Sequence, residues 1–241
     1  MIAACRAAQG DREIDGPIPA VTQDLIVGVT DAWSAMAVTL RRYRKASPGG
    51  RWTPVGKAWV GSVGKAGLAW GVGLHGTGAP RGRAGPVKIE GDRAAPAGVF
   101  AIAGSYGAAV SGPGGARIPY THATEDWVCV DDPKSASYNR VVDRRTIAAD
   151  YASRETMKRT DGKYDWVIDV RHNPANVPGA GSCIFFHVWA AAGEPTVGCT
   201  AMPEPEIAML VGTLDPSAVY VLLPSAEYAA LAPTWHLPVL F

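Results

Sequence analysis

Ser182-Cys183-Ile184-Phe185-Phe186-His187-Val188-Trp189 reads as a buried strand, and it leads through Ala190 to Glu194 into Pro195-Thr196-Val197-Gly198-Cys199-Thr200-Ala201-Met202. Apolar runs of this length between turn signals are strand signals. The same pattern recurs at Leu25 to Val29, Ala58 to Val63, Leu68 to Leu74, Val99 to Ala103, Trp127 to Val130, Trp166 to Val170 and Val219 to Leu223. Ala32 to Arg44 alternates through Met36, Val38, Leu40 and Arg42, which favours a strand over the helix that Trp33, Leu40 and Tyr43 would also permit. Only Pro203 to Leu214, with Glu204 and Glu206 placed for the positive end of a helix, and Ser225 to Leu231 argue for helix. The fold class expected is mainly β with minor helix.

Composition agrees. Of 241 residues, 47% are hydrophobic and 19% charged, enough for one domain with a sizeable core. Glycine (28) and proline (19) make up about a fifth of the chain against a usual ~12%, without a period, as many turns require. Stretches 76–86 and 104–119 read as long surface loops. The net charge of +1 supplies no field to draw the chain to nucleic acid or an anionic membrane. No apolar run is long enough to span a bilayer. Ile2-Ala3-Ala4-Cys5 has the form of the end of a bacterial lipoprotein signal, in which the cysteine becomes lipidated, although a chance Ala-rich tetrapeptide has the same form. Residues 1–20 then read as an N-terminal tether and 21–241 as a single domain.

Two motifs lose to their context. Gly71-Val72-Gly73-Leu74-His75-Gly76 matches the dinucleotide-binding G-x-G-x-x-G, but Thr77-Gly78-Ala79-Pro80 follows, which does not start the helix that would hold a pyrophosphate. The five histidines, His75, His122, His172, His187 and His236, show no metal-ligand spacing, and no C-x-x-C is present, so no metal site is expected.

The chemistry concentrates at the opening stretch. His187 closes a strand, and Cys199 follows twelve residues later, directly after Gly198. A thiol is a nucleophile as thiolate, and an imidazole can take its proton. Gly198 lets the backbone amides beside the sulfur turn toward a substrate carbonyl as an oxyanion hole. Read from these residues alone, a structural cysteine beside a core histidine is the favoured reading.

The stretch resembles the catalytic region of the YkuD-type L,D-transpeptidases: a histidine, a loop, then Ser/Thr-x-Gly-Cys, here His187 to Thr196-Val197-Gly198-Cys199-Thr200. Upstream, Lys88 through Pro96-Ala97-Gly98-Val99-Phe100 is similar to the family's Lys...Pro-x-Gly-x-Phe strand and turn, and the likeness covers roughly residues 57–224. Val197 stands where the family usually places a second histidine, and the His-to-Cys gap is shorter than usual. The resemblance implies a YkuD-like β-sandwich as a single catalytic domain. It also implies a peptidoglycan L,D-transpeptidase of the bacterial envelope or periplasm, making 3-3 or 1-3 cross-links between stem peptides without cofactor or metal. Cys199 would be the nucleophile, His187 the base, and the amides of Gly198 and Cys199 the oxyanion donors. Trp189, Thr196, Val197 and Thr200 would line the substrate site. Glu90 and Asp92 would offer charge to a zwitterionic stem. Carbapenems would acylate the sulfur. The alternatives are a wall amidase or L,D-carboxypeptidase using the same Cys-His chemistry, and a non-catalytic peptidoglycan-binding module. If Cys5 carries lipid and Cys199 is the free nucleophile, Cys129 and Cys183 remain, and an oxidising compartment would let them pair.

Overall fold

A computed structural model describes residues 16–114 and 116–240, so the lipoprotein-like stretch ending at Cys5 lies outside the described residues. The strands are β1 (Asp24–Thr30), β2 (Ala37–Arg44), β3 (Thr53–Ser62), β4 (Leu68–Trp70), β5 (Val72–Gly73), β6 (Gly76–Thr77), β7 (Ala95–Gly107), β8 (Tyr120–His122), β9 (Trp127–Val130), β10 (Arg140–Asp143), β11 (Arg154–Thr156), β12 (Trp166–Val170), β13 (Phe185–Val188), β14 (Thr200–Met202) and β15 (Val219–Pro224). The helices are α1 (Glu204–Thr213) and α2 (Ser225–Trp235). The chain is thus mainly β with two short helices. Among the described residues no helix is long and apolar enough to cross a membrane.

The main sheet runs β12-β13-β14-β3-β2-β1-β15-β7, and β7 pairs again with β12, so these eight strands form a closed circuit. The expected sandwich is corrected to a barrel-like sheet. The cause is the length of β7: Gly98 to Ala101 pair with β15, and Ile102 to Gly107 pair with β12. One long strand serves both neighbours, and closure removes the free edges. The predicted loop at 104–119 therefore begins too early. At Gly98, with φ 138°, the His75 imidazole occupies the space a Cβ would need, so only glycine fits. The Gly71-to-Gly76 motif is a small hairpin, with Val72 and Gly73 paired to Thr77 and Gly76, and no helix follows it.

β13 alternates between two cores, as a strand must. Phe186 points into the main cluster, its ring 4.5 Å from that of Tyr220, while Phe185 joins a smaller cluster with Cys129, Met157, Tyr164, Val167, Cys183 and Cys199. A separate three-stranded sheet, β10-β9-β11, contributes Cys129 to this second core. A disulfide fastens it to the barrel: Cys129 of β9 bonds Cys183, just before β13, with S–S 2.02 Å. The pairing that the sequence left open for these two cysteines is therefore present.

The helices cover the barrel. α1 starts after Pro203 with Glu204 and Glu206 in its first turn and buries Ile207, Leu210 and Val211. α2 runs four residues beyond the predicted end at Leu231, through Pro233, and stops where His236 adopts a left-handed conformation. Arg42 of β2 ties the layers together. Its guanidinium is bidentate to buried Asp24 and also donates to the carbonyl of Thr213, at the negative end of α1. The tether reading is corrected at its described end, where Ile18 packs against the main core.

Candidate active site

Two neighbouring strands carry the proposed pair. β13 and β14 are parallel, with His187 opposite Ala201, so Cys199, just before β14, lies beside the strand that carries His187. The loop between them turns at Gly193, with φ 82°, and is then pinned to the barrel: the Thr196 amide donates to Val63 at 2.9 Å, and the Thr196 carbonyl accepts from Lys65 at 2.9 Å. The Thr196 hydroxyl donates to the Cys199 carbonyl at 2.7 Å and accepts from the Gly198 amide at 3.0 Å. The last turn before the sulfur is thus a closed, side-chain-stapled unit. Gly198 adopts φ 153°, which side-chain-bearing residues rarely take. Its amide is spent on Thr196. The expected two-amide oxyanion hole is corrected in this respect; among the described residues the amide of Cys199 has no such side-chain partner.

The imidazole of His187 is oriented by main chain. Its Nδ1 lies 2.8 Å from the Val188 carbonyl, which can only accept, so Nδ1 carries the hydrogen. Burial lowers the pKa of His187 to about 4. The ring is neutral at pH 7, and Nε2 bears the lone pair. Tyr164 packs beside it at a tilt of 56°, with ring centroids 5.4 Å apart.

The sulfur is shielded. Cys199 is 5% exposed; its thiol donates to the Cys183 carbonyl at 3.5 Å and accepts from the Phe185 amide at 3.4 Å. Burial, reinforced by the nearby Glu155, pushes the thiol pKa up. No hydrogen bond joins it to His187 among the described residues. The resting pair is therefore neutral thiol and neutral imidazole, and proton transfer would have to accompany any attack by the sulfur.

Cys199 nevertheless faces solvent-connected space on both sides. One lobe of the cleft, about 290 Å³, is lined by His187, Trp189, Thr196, Arg159, Lys163 and Tyr164. The other, about 350 Å³, is lined by Lys88, Glu90, Arg93, Asp131, Ser182 and Gly198. Cys199, Val197 and Glu155 line both, so the two lobes adjoin along these three residues.

Most of the predicted substrate residues lie in this cleft: Trp189, Thr196, Val197 and Glu90. Two do not. Thr200 is buried with its hydroxyl 3.0 Å from that of Tyr220, because alternation along β14 turns it into the main core. Asp92 organises its own turn, accepting from the Lys88 ammonium and from the amides of Ile89 and Ala94 at 2.9 Å each. Glu90 accepts from Ser182 at 2.7 Å and from the Tyr138 hydroxyl.

Sequence reasoning missed Glu155 and Tyr164, whose side chains meet at 2.9 Å beside the sulfur. Neither sits in a motif; β11 carries Glu155 opposite Cys129, so the disulfide, not local sequence, brings it to the cleft. A larger cavity of about 920 Å³ lies elsewhere, bordered by Arg41, Trp52 and Trp235, and contains none of the predicted residues. Among the described residues no group of three His, Cys, Asp or Glu side chains could hold a metal ion. In comparisons with known proteins, no family model, no curated protein and no solved structure matches this chain.

Proposed function

We propose that this chain is a peptidoglycan L,D-transpeptidase with a YkuD-type catalytic domain, working in the bacterial envelope. One observation carries the reading: Cys199 and His187 line a single cleft from neighbouring strands, with the hydrogen of His187 committed to Val188 so that Nε2 bears the lone pair. The disulfide supports an oxidising compartment. As Sγ attacks the carbonyl carbon of a donor stem peptide, Nε2 takes the thiol proton, and the new oxyanion is met by the Cys199 amide. The tetrahedral intermediate collapses with cleavage of the C–N bond, and the imidazolium protonates the departing D-alanine amine. A thioester remains for an acceptor amine, making a 3-3 or 1-3 cross-link. Water in its place would make the site an L,D-carboxypeptidase or amidase.

The shielding of the thiol favours one competing reading, a binding module without catalysis. Exposure to a carbapenem followed by peptide mass spectrometry separates the two. The expected result is an adduct on Cys199, absent in Cys199→Ala and slowed in His187→Ala. No adduct on Cys199 overturns the enzyme reading. With purified muropeptides the expected products are dimers; trimmed monomers would identify the hydrolase.

A further inference from the structure

We propose that Glu155 binds and deprotonates the acceptor amine, in the lobe it shares with Glu90 and Asp131. This rests on the transpeptidase reading and divides its labour: His187 serves the thiol, and Glu155 serves the amine that resolves the thioester.

Position is the first argument. Glu155 borders both lobes together with the sulfur, so a group bound to it lies next to the acyl carbon. Its Oε2 accepts from the Tyr164 hydroxyl at 2.9 Å, which fixes the carboxyl plane, while Oε1 has no hydrogen-bond partner among the described residues.

Charge is the second. Among the described residues, none of Glu90, Asp131 and Glu155 forms a salt bridge, whereas the cleft's buried cation, Lys88, is matched by Asp92. Neutral hydroxyls satisfy Glu90, and Oδ1 of Asp131 is buried with no hydrogen-bond partner among the described residues. Of the cations lining the cleft, Lys88, Arg159 and Lys163 are matched by Asp92, Asp161 and Glu194, and only Arg93 has no salt bridge among the described residues. Three half-buried carboxylates thus face one unmatched guanidinium and fit a ligand with several N–H donors and a positive charge. A primary ammonium is such a ligand. Burial and the neighbouring Asp131 raise the pKa of Glu155, against the hydrogen bond from Tyr164 and the charge of Arg159, which makes the carboxylate a better proton acceptor.

The step balances. The carboxylate takes one proton from R–NH3⁺, and the freed nitrogen lone pair attacks the thioester carbon. The resulting tetrahedral adduct passes its second N–H proton to His187 Nε2. Collapse forms the amide and breaks C–S, the sulfur regains its proton from the imidazolium, and Glu155 returns its proton to water.

The test measures how one thioester partitions. Wild type, Glu155→Gln and Glu155→Asp are acylated with a donor stem peptide and offered a primary-amine acceptor, and aminolysis is compared with hydrolysis. General-base loss predicts a fall of about 100-fold in the aminolysis-to-hydrolysis ratio for Glu155→Gln, with partial recovery in Glu155→Asp. An unchanged ratio, even with both rates reduced, makes Glu155 merely structural and overturns the inference. Failure of the wild type to form any thioester overturns the transpeptidase reading itself, a different observation.

Discussion

The thiol of Cys199 donates to the main-chain carbonyl of Cys183, 3.5 Å away, and Cys183 holds that carbonyl in place from a left-handed backbone conformation, φ 55°. Because Cys183 is also half of the disulfide to Cys129, one covalent bond both docks the three-stranded sheet and shapes the sulfur's surroundings.

Loss of that disulfide should therefore do two things. The bond joins residues 54 apart, and closing such a loop is worth about 4 kcal/mol in the chain-entropy account. Cys129→Ala with Cys183→Ala should lower the urea midpoint accordingly and speed alkylation of Cys199 by iodoacetamide. Unchanged midpoint and unchanged alkylation would contradict the linkage.

Thr196 is the staple of the turn that leads into Cys199. Thr196→Ala leaves the Gly198 amide and the Cys199 carbonyl without their partner and should cost about 1–3 kcal/mol. It should also slow carbapenem acylation, because the sulfur loses its fixed turn. Thr196→Ser keeps the hydroxyl and should restore both, measured by denaturation and stopped-flow acylation.

Two buried imidazoles set an acid response. His172 and His187 are each held down to about 4 by burial, against 6.5 for the ordinary group. The unfolded chain takes up these protons near pH 6.5 and the folded chain only near 4, so stability is present above 6.5 and is lost as pH falls through that window. The size is on the order of 3 kcal/mol per histidine. Asp169, pushed up to about 6 by burial, works in the opposite direction, since its contribution is lost as pH rises from about 4 to 6. The net expectation is a moderate fall in the urea midpoint between pH 6.5 and 4. NMR titration should find both imidazoles neutral at pH 6; protonation of either near 6.5 would refute the assignment.

Asp24 and Arg42 form a buried pair that should respond asymmetrically. Asp24→Ala strands a guanidinium that is 4% exposed and should cost about 3–5 kcal/mol. Replacing both by apolar residues of similar volume should recover most of that loss. A double variant as unstable as the single would show that the ion pair itself stabilises the fold.

Local pattern was enough for much of this protein. The apolar runs at 127–130 and 166–170 coincide with β9 and β12, and Pro203 with two glutamates marks the start of α1, because strand burial and helix-end electrostatics are settled within a few residues. The nearness of His187, Thr196, Val197 and Cys199 was also legible, since all lie within one short stretch. Tertiary structure alone decided the closure of the sheet through β7, the turning of Thr200 into the core and the arrival of Glu155 at the sulfur. Each depends on which distant segment supplies the neighbour: β12 for the far half of β7, Tyr220 for Thr200, the Cys129–Cys183 bond for Glu155. Side-chain alternation along a strand is local chemistry, but which face meets the core and which meets the cleft is fixed only when the strands have paired.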